Sequence, residues 1–210
     1  YEPIIPLSTT GENVTAPKGY RPYYDVESWF RYKHLFVPGE TVIVTEKIHG
    51  ASARYCWSDN QMCCGSRTTW KKEDDKNLWW IALRNHPEIV EFFRIFPGTT
   101  VYGEVYGRVQ SLTYGISSGA RIAVFDLLDG NEWINVTARD TCILPWVPLV
   151  WKGPYSEDKV LELSDGASCI EGANHIREGI VIKPVVERTD PEIGRVQLKI
   201  VSNSYLETKH

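Results

Sequence analysis

Thr41-Val42-Ile43-Val44-Thr45-Glu46-Lys47-Ile48-His49-Gly50 is followed directly by Ala51-Ser52-Ala53-Arg54-Tyr55. The first half is a β-branched apolar run, the composition of a buried strand. A glycine interrupts it and a second strand follows. Lys47 therefore lies near the end of one strand, just before a tight connection. A lysine held there points into whatever the strands enclose. In a sheltered cleft such an amine can lose its proton and act as a nucleophile. Four downstream segments repeat the pattern of charged residues bordering short strands. They are Cys64-Gly65-Ser66-Arg67, Val101-Tyr102-Gly103-Glu104-Val105-Tyr106-Gly107, Glu178-Gly179-Ile180-Val181-Ile182-Lys183-Pro184 and Gln197-Leu198-Lys199-Ile200. Arg121-Ile122-Ala123-Val124-Phe125-Asp126 lies between the second and the third.

Further strand and helix signals surround these segments. Residues 1–21 are rich in Pro, Gly and Thr and read as an irregular arm or linker, leaving 22–210 as the domain. Asp25 is placed to cap a short helix carrying Trp29, Phe30, His34 and Leu35. Strands are expected at 41–47, 51–57 and 61–66, with a polar loop from Thr68 to Lys76. Helices follow from Leu78 and from Pro87, and Pro97-Gly98 ends the second. Strands resume at 100–106 and 120–128. Asp129-Gly130 makes a hairpin turn into Trp133-Ile134-Asn135-Val136. Thr137 is read as the cap of a short helix containing Cys142 and Leu144. Trp146 to Trp151 reads as strand, and Ser156 opens a helix through Leu163. Strands at 179–185 and 195–201 close the chain. Strands, then helices, then more strands imply an α+β fold with antiparallel sheets flanked by helices.

The chain has 210 residues, 42% of them hydrophobic and 12% aromatic, enough for a substantial core. A net charge of −4 argues against broad nonspecific nucleic-acid binding but leaves room for a local basic cleft. The five cysteines show no zinc-ligand spacing and read as reduced thiols of an intracellular protein. No apolar run is long enough to span a bilayer, so no membrane partner is expected. The start Tyr1-Glu2-Pro3 has neither Met nor a signal-peptide pattern, and the sequence reads as part of a longer chain. Gly103 and Gly107 lack the Lys-Ser/Thr ending of a P-loop.

In order, the five segments resemble the nucleotidyltransferase motifs of ATP-dependent polynucleotide ligases and mRNA capping enzymes. Glu-Lys-Ile-His-Gly, together with Tyr-Gly-Glu-Val-Tyr-Gly running on to Gln110-Ser111-Leu112-Thr113-Tyr114-Gly115, is similar to the RNA ligase 2 group. The resemblance covers roughly Thr41 to Leu206. It implies the ATP-grasp-like adenylation fold of ligases, ATP and Mg²⁺ or Mn²⁺ as cofactors, and RNA 5′-phosphate and 3′-hydroxyl ends as partners. It implies that Lys47 takes AMP from ATP, and that a separate RNA-gripping domain lies outside this chain. His49 stands where DNA ligases and capping enzymes carry Asp, which favours an RNA ligase over either of those. A binding module for nucleic-acid ends that has lost catalysis is the reading from another class.

The resemblance also distributes roles. Glu46 lies near the adenine, and Gly50 gives backbone freedom beside the nucleotide. Arg67 contacts sugar and phosphate, as a planar fork suits. Glu104 accepts from a ribose hydroxyl, and Phe125 stacks on the purine. Glu178 is the metal-site acid. Lys183 is assigned to the nucleotide, although strict alternation puts it on the face opposite Glu178 unless Gly179 bends the strand. Lys199 stabilises charge at the α-phosphate. Relatives commonly carry two lysines in alternation there. This chain has Gln197, Lys199 and Val201, so one cation is missing and Lys183 or another group must compensate.

Overall fold

The computed structural model describes residues 11–18, 20 and 23–208. In chain order, β1 (Asn13–Val14) and β2 (Glu27–Ser28) precede the single-turn helix α1 (Trp29–Tyr32). Then come β3 (Thr41–Glu46), β4 (Ala51–Ser58), β5 (Gln61–Gly65) and β6 (Trp70–Lys71). Helices α2 (Leu78–Arg84) and α3 (Pro87–Ile95) lead into β7 (Thr99–Gly107), β8 (Ala120–Asp129) and β9 (Glu132–Trp133). β10 (Leu149–Pro154) and α4 (Glu157–Ser164) precede β11 (Gly179–Pro184), β12 (Thr189–Asp190), β13 (Gly194–Arg195) and β14 (Leu198–Val201). Helix α5 (Asn203–Glu207) follows. The fold is α+β, as the element order implied. Among the described residues no helix is long and apolar enough to cross a membrane.

Two sheets carry the architecture. The seven-stranded sheet runs β1-β6-β5-β4-β7-β8-β9, and the five-stranded sheet runs β10-β3-β11-β14-β2. All their pairings are antiparallel except β14 with β2. The apolar face of α2 (Leu78, Trp79, Ala82, Leu83) buries against Val101, Val105, Ile122 and Val124 of the larger sheet. Asn77 caps this helix by accepting from the Trp79 amide at 3.1 Å. Trp29, Val42, Val44, Ile180, Ile182, Leu198 and Ile200 form the core of the smaller sheet. Each such aliphatic side chain contributes about 1.5–3 kcal/mol on burial.

β3 belongs to the smaller sheet and β4 to the larger, so the chain crosses between sheets at residues 47–50. Two contacts fix that crossing. The Lys47 amide donates to the Gly179 carbonyl at 2.9 Å. A Cβ on Gly50 would come within 2.1 Å of the Val105 carbonyl oxygen. Gly50 is thus required for close approach of β7, not for the conformational freedom expected of it.

Several local expectations are corrected. Asp25 caps no helix, because α1 begins at Trp29 with Ser28 at its N-cap. The stretch 68–76 is not all loop, since Trp70 is buried and β6 joins the sheet edge. The strand expected at 133–136 stops at Trp133. A 3₁₀ turn at Val136–Asp140 replaces the helix expected to hold Cys142 and Leu144. Val147 instead lies against β8, donating to the Val124 carbonyl at 2.8 Å, and the strand expected from Trp146 begins at Leu149. Ser156 caps α4 as read, accepting from the Lys159 amide at 3.2 Å.

Candidate active site

A cleft of ≈ 180 Å³ opens where the sheets face each other. Lys47, Glu46, Arg67, Glu104, Phe125, Lys183 and Lys199 all line it. These residues come from six separate segments of the sequence. A larger groove of ≈ 1010 Å³ lies elsewhere, walled by Trp57, Trp70 and Trp80, and includes none of these seven.

Lys47 follows the last residue of β3, and its Nζ lies 2.9 Å from Glu178 Oε1. Glu178 has the wrong parity for the cleft face of β11. It reaches Lys47 because Gly179, at φ +154°, turns the chain just before the strand. A Cβ on Gly179 would meet the Ile200 carbonyl oxygen at 2.0 Å, so the turn also lets β14 close up. Glu178 Oε2 lies 3.3 Å from His49 Nδ1. The imidazole is held at both ends, with Tyr205 Oη 3.2 Å from Nδ1 and Ser111 Oγ 3.2 Å from Nε2. Tyr114 Oη accepts from the His49 amide at 2.6 Å.

Glu104 lies opposite Ser52 in the β4–β7 register. Burial, together with the nearby Glu178 charge, pushes its carboxyl up to about 7, against the pull of Lys47. A group so poised is half-protonated near neutral pH and can donate or accept. Glu46 is 1% exposed. Burial raises its pKa, opposed by donors from the chain 122 residues on. Ser168 Oγ and the Cys169 amide each donate to it at 2.6 Å. Glu46 therefore ties the 165–173 loop to the end of β3.

Lys183 lines the cleft, but its amine is already engaged. It donates to the Phe125 carbonyl at 2.9 Å and pairs with Asp126. Arg195 donates to both Asp126 oxygens at 3.0 Å and lies 3.8 Å over the Trp133 ring. Burial would raise the Asp126 pKa, yet Lys183 and Arg195 hold it down at about 2. Lys183 is thus part of a buried charge network behind Phe125, its charge shared with Asp126. Of the alternating trio at and just before β14, Gln197 and Lys199 line the cleft. Gln197 is 2% exposed, and its amide nitrogen is unpartnered among the described residues. Sequence reasoning missed Tyr23, Tyr24, Ser168 and Tyr205. Each acts across a long separation that no local pattern announces.

The family model for RNA ligases matches residues 40–201. The chain belongs to the RNA ligase family. Solved structures of an RNA ligase from Naegleria gruberi are similar to it. That ligase's complex with PPi has a TM-score of 0.77 and 22% identity, covering 99% of this chain and 64% of that one. An alanine variant with ATP and Mn has a TM-score of 0.75 and 21% identity over 99% and 63%. Another with AMP and Mn gives 0.76 and 22% over 100% and 64%. At this identity the likeness establishes a shared fold. The chain spans 63–64% of the length of these ligases. No curated protein sequence matches it. Within an RNA ligase family member, the cleft around Lys47 is the candidate site of nucleotide chemistry.

Proposed function

We propose that this chain is the adenylation domain of an ATP-dependent RNA ligase and that Lys47 is its nucleophile. The observation that carries this reading is the 2.9 Å pairing of Glu178 with Lys47, which lines a cleft together with Glu104, Phe125, Arg67 and Lys199. Lys47 Nζ attacks the α-phosphorus of ATP. A P–N bond forms, the α–β bridging P–O bond breaks, and pyrophosphate leaves. Glu178 orients the amine and is placed to take its proton, with the His49 ring 3.3 Å from the carboxylate's other oxygen. Lys199 and Arg67 supply cationic donors toward the phosphates. Glu104 suits a ribose hydroxyl and Phe125 suits a purine face.

A divalent metal fits the same carboxylates. Burial is the main cause that raises Glu104, and the nearby Glu178 charge adds to it, a contribution that a bound cation would relieve. No group of three His, Cys, Asp or Glu side chains among the described residues forms a protein-only cage. Mg²⁺ is ordinarily held by one or two carboxylates plus substrate phosphates. Glu178 is the residue to hold it, and a bound Mg²⁺ or Mn²⁺ would offset phosphate charge.

In the full reaction AMP passes from Lys47 to an RNA 5′-phosphate, and a 3′-hydroxyl then displaces AMP to form the phosphodiester. The Naegleria proteins are RNA ligases solved with ATP and Mn and with AMP and Mn, which supports the RNA and nucleotide assignments. This chain alone is expected to adenylylate itself and to join ends poorly without the rest of the protein. The test offers α-³²P-ATP or α-³²P-GTP with Mg²⁺, then 5′-phosphorylated RNA or DNA. Label from ATP only, discharged onto RNA, is expected. Label from GTP would indicate a capping activity, and RNA-end binding with no label would indicate a non-catalytic module.

A further inference from the structure

Residues Tyr23 to Ser28 form a strap across the mouth of the cleft. The chain segments flanking this region are fixed on different sheets. β1 pairs with β6 at one edge of the larger sheet, and β2 pairs with β14 at one edge of the smaller. Tyr20 packs edge-on to Trp70 at 5.9 Å, under the Arg54 guanidinium at 5.2 Å. Between these anchors, Tyr23, Tyr24, Asp25 and Val26 line the same cleft as Lys47, Glu104 and Lys199. Tyr23 bonds to Ser52, the cross-strand neighbour of Glu104. Tyr24 donates to Asp126 within the buried charge network.

Asp25 is the exception in this strap. Its carboxylate faces outward and pairs with Arg67, whose guanidinium also lies 5.8 Å over the Tyr23 ring. Arg67 is the only arginine lining the cleft among the described residues. A guanidinium offers the same parallel donors to a carboxylate and to a phosphate. The two side chains are 51% and 70% exposed, so their mutual attraction is weak and exchangeable.

We propose that Asp25 is an internal competitor for the phosphates of the incoming nucleotide, held at the cleft mouth by the strap to set nucleotide affinity. This rests on the reading of the cleft as a nucleotide site. Binding exchanges Asp25 for phosphate on Arg67, while Tyr24 stays fixed to Asp126 one residue earlier. The backbone need not leave the cleft mouth.

The test measures ATP affinity of the full chain in two ways, by Kd and by the KM for lysyl-AMP formation. The proteins are wild type, Asp25→Asn, Asp25→Glu, Arg67→Ala and the Asp25→Asn/Arg67→Ala double variant. Asp25→Asn should lower Kd and KM roughly two- to fivefold, the size of an exposed ion pair. Asp25→Glu, which keeps the charge, should stay close to wild type. In the Arg67→Ala background the Asp25→Asn effect should vanish, since a general gain from removing one negative charge would persist there. The proposal is overturned by unchanged or weakened affinity in Asp25→Asn, or by an equal gain without Arg67. A wild type that binds ATP but forms no lysyl-AMP would count against the catalytic reading while still deciding the role of Asp25 through Kd. One that binds no ATP overturns both.

Discussion

Asp126→Asn isolates the charge network that shapes the back of the cleft. Asp126 is 4% exposed and receives Tyr24, Lys183 and Arg195 on its two oxygens. Asparagine keeps the shape and removes the charge. Lys183 and Arg195 would then face each other with side chains 4% and 8% exposed, leaving Glu187 as the acid on Arg195. Breaking a buried pair by removing one partner costs about 3–5 kcal/mol. A second route gives a lower figure. A pKa held at about 2 against an ordinary 3.8 corresponds to about 2 kcal/mol at 1.36 kcal/mol per unit. The sign follows from the depressed pKa. The stabilisation is present above the ordinary carboxylate value and is lost as pH falls through about 2. Urea denaturation of both proteins should therefore show a gap of at least about 2 kcal/mol at pH 7, shrinking toward pH 2. A gap below about 1 kcal/mol at pH 7, or one independent of pH, would refute the reasoning.

Glu104 has the opposite sign. Its pKa is raised to about 7 by burial, so the stability it contributes is full below its ordinary 4.5 and fades as pH rises through 7. Glu104→Gln should flatten that part of the stability–pH curve, worth up to roughly 3 kcal/mol, in denaturation series from pH 4 to 8; an unchanged slope contradicts the assignment. Gly50→Ala drives a Cβ to 2.1 Å from the Val105 carbonyl, and the backbone cannot yield without moving Lys47. It should cost about 1–3 kcal/mol by thermal unfolding and strongly suppress lysyl-AMP formation. Near-normal adenylylation in that variant would show that the crossing is not tight.

Much of this site was legible because its residues sit on strands whose local patterns are strong. The apolar run before Lys47, the glycine at 50 and the strands bearing Glu104, Phe125, Lys183 and Lys199 all fall where alternation and turn residues place them. The parity conflict between Glu178 and Lys183 was visible too, and Gly179 resolves it. Other features depend on which distant segments meet. Tyr205 reaches His49 across 156 residues, and Ser168 reaches Glu46 across 122. Asp25 carries an N-cap signature, yet Arg67 claims its carboxylate. Trp70 sits amid charged residues that suggested a loop, but its ring is buried beneath Tyr20 and Arg54. Lys183 looked like a spare cation until folding brought Asp126 to it.

The central claim is that Lys47 becomes covalently linked to AMP. Intact-protein mass spectrometry tests it most directly, after stripping with pyrophosphate and incubation with ATP and Mg²⁺, beside Lys47→Ala and a GTP control. A gain of one AMP in the wild type, absent from Lys47→Ala and from the GTP sample, is the expected result. Retained AMP in Lys47→Ala would contradict the nucleophile assignment. No gain in a folded wild type that binds ATP would contradict autonomous adenylylation by this chain.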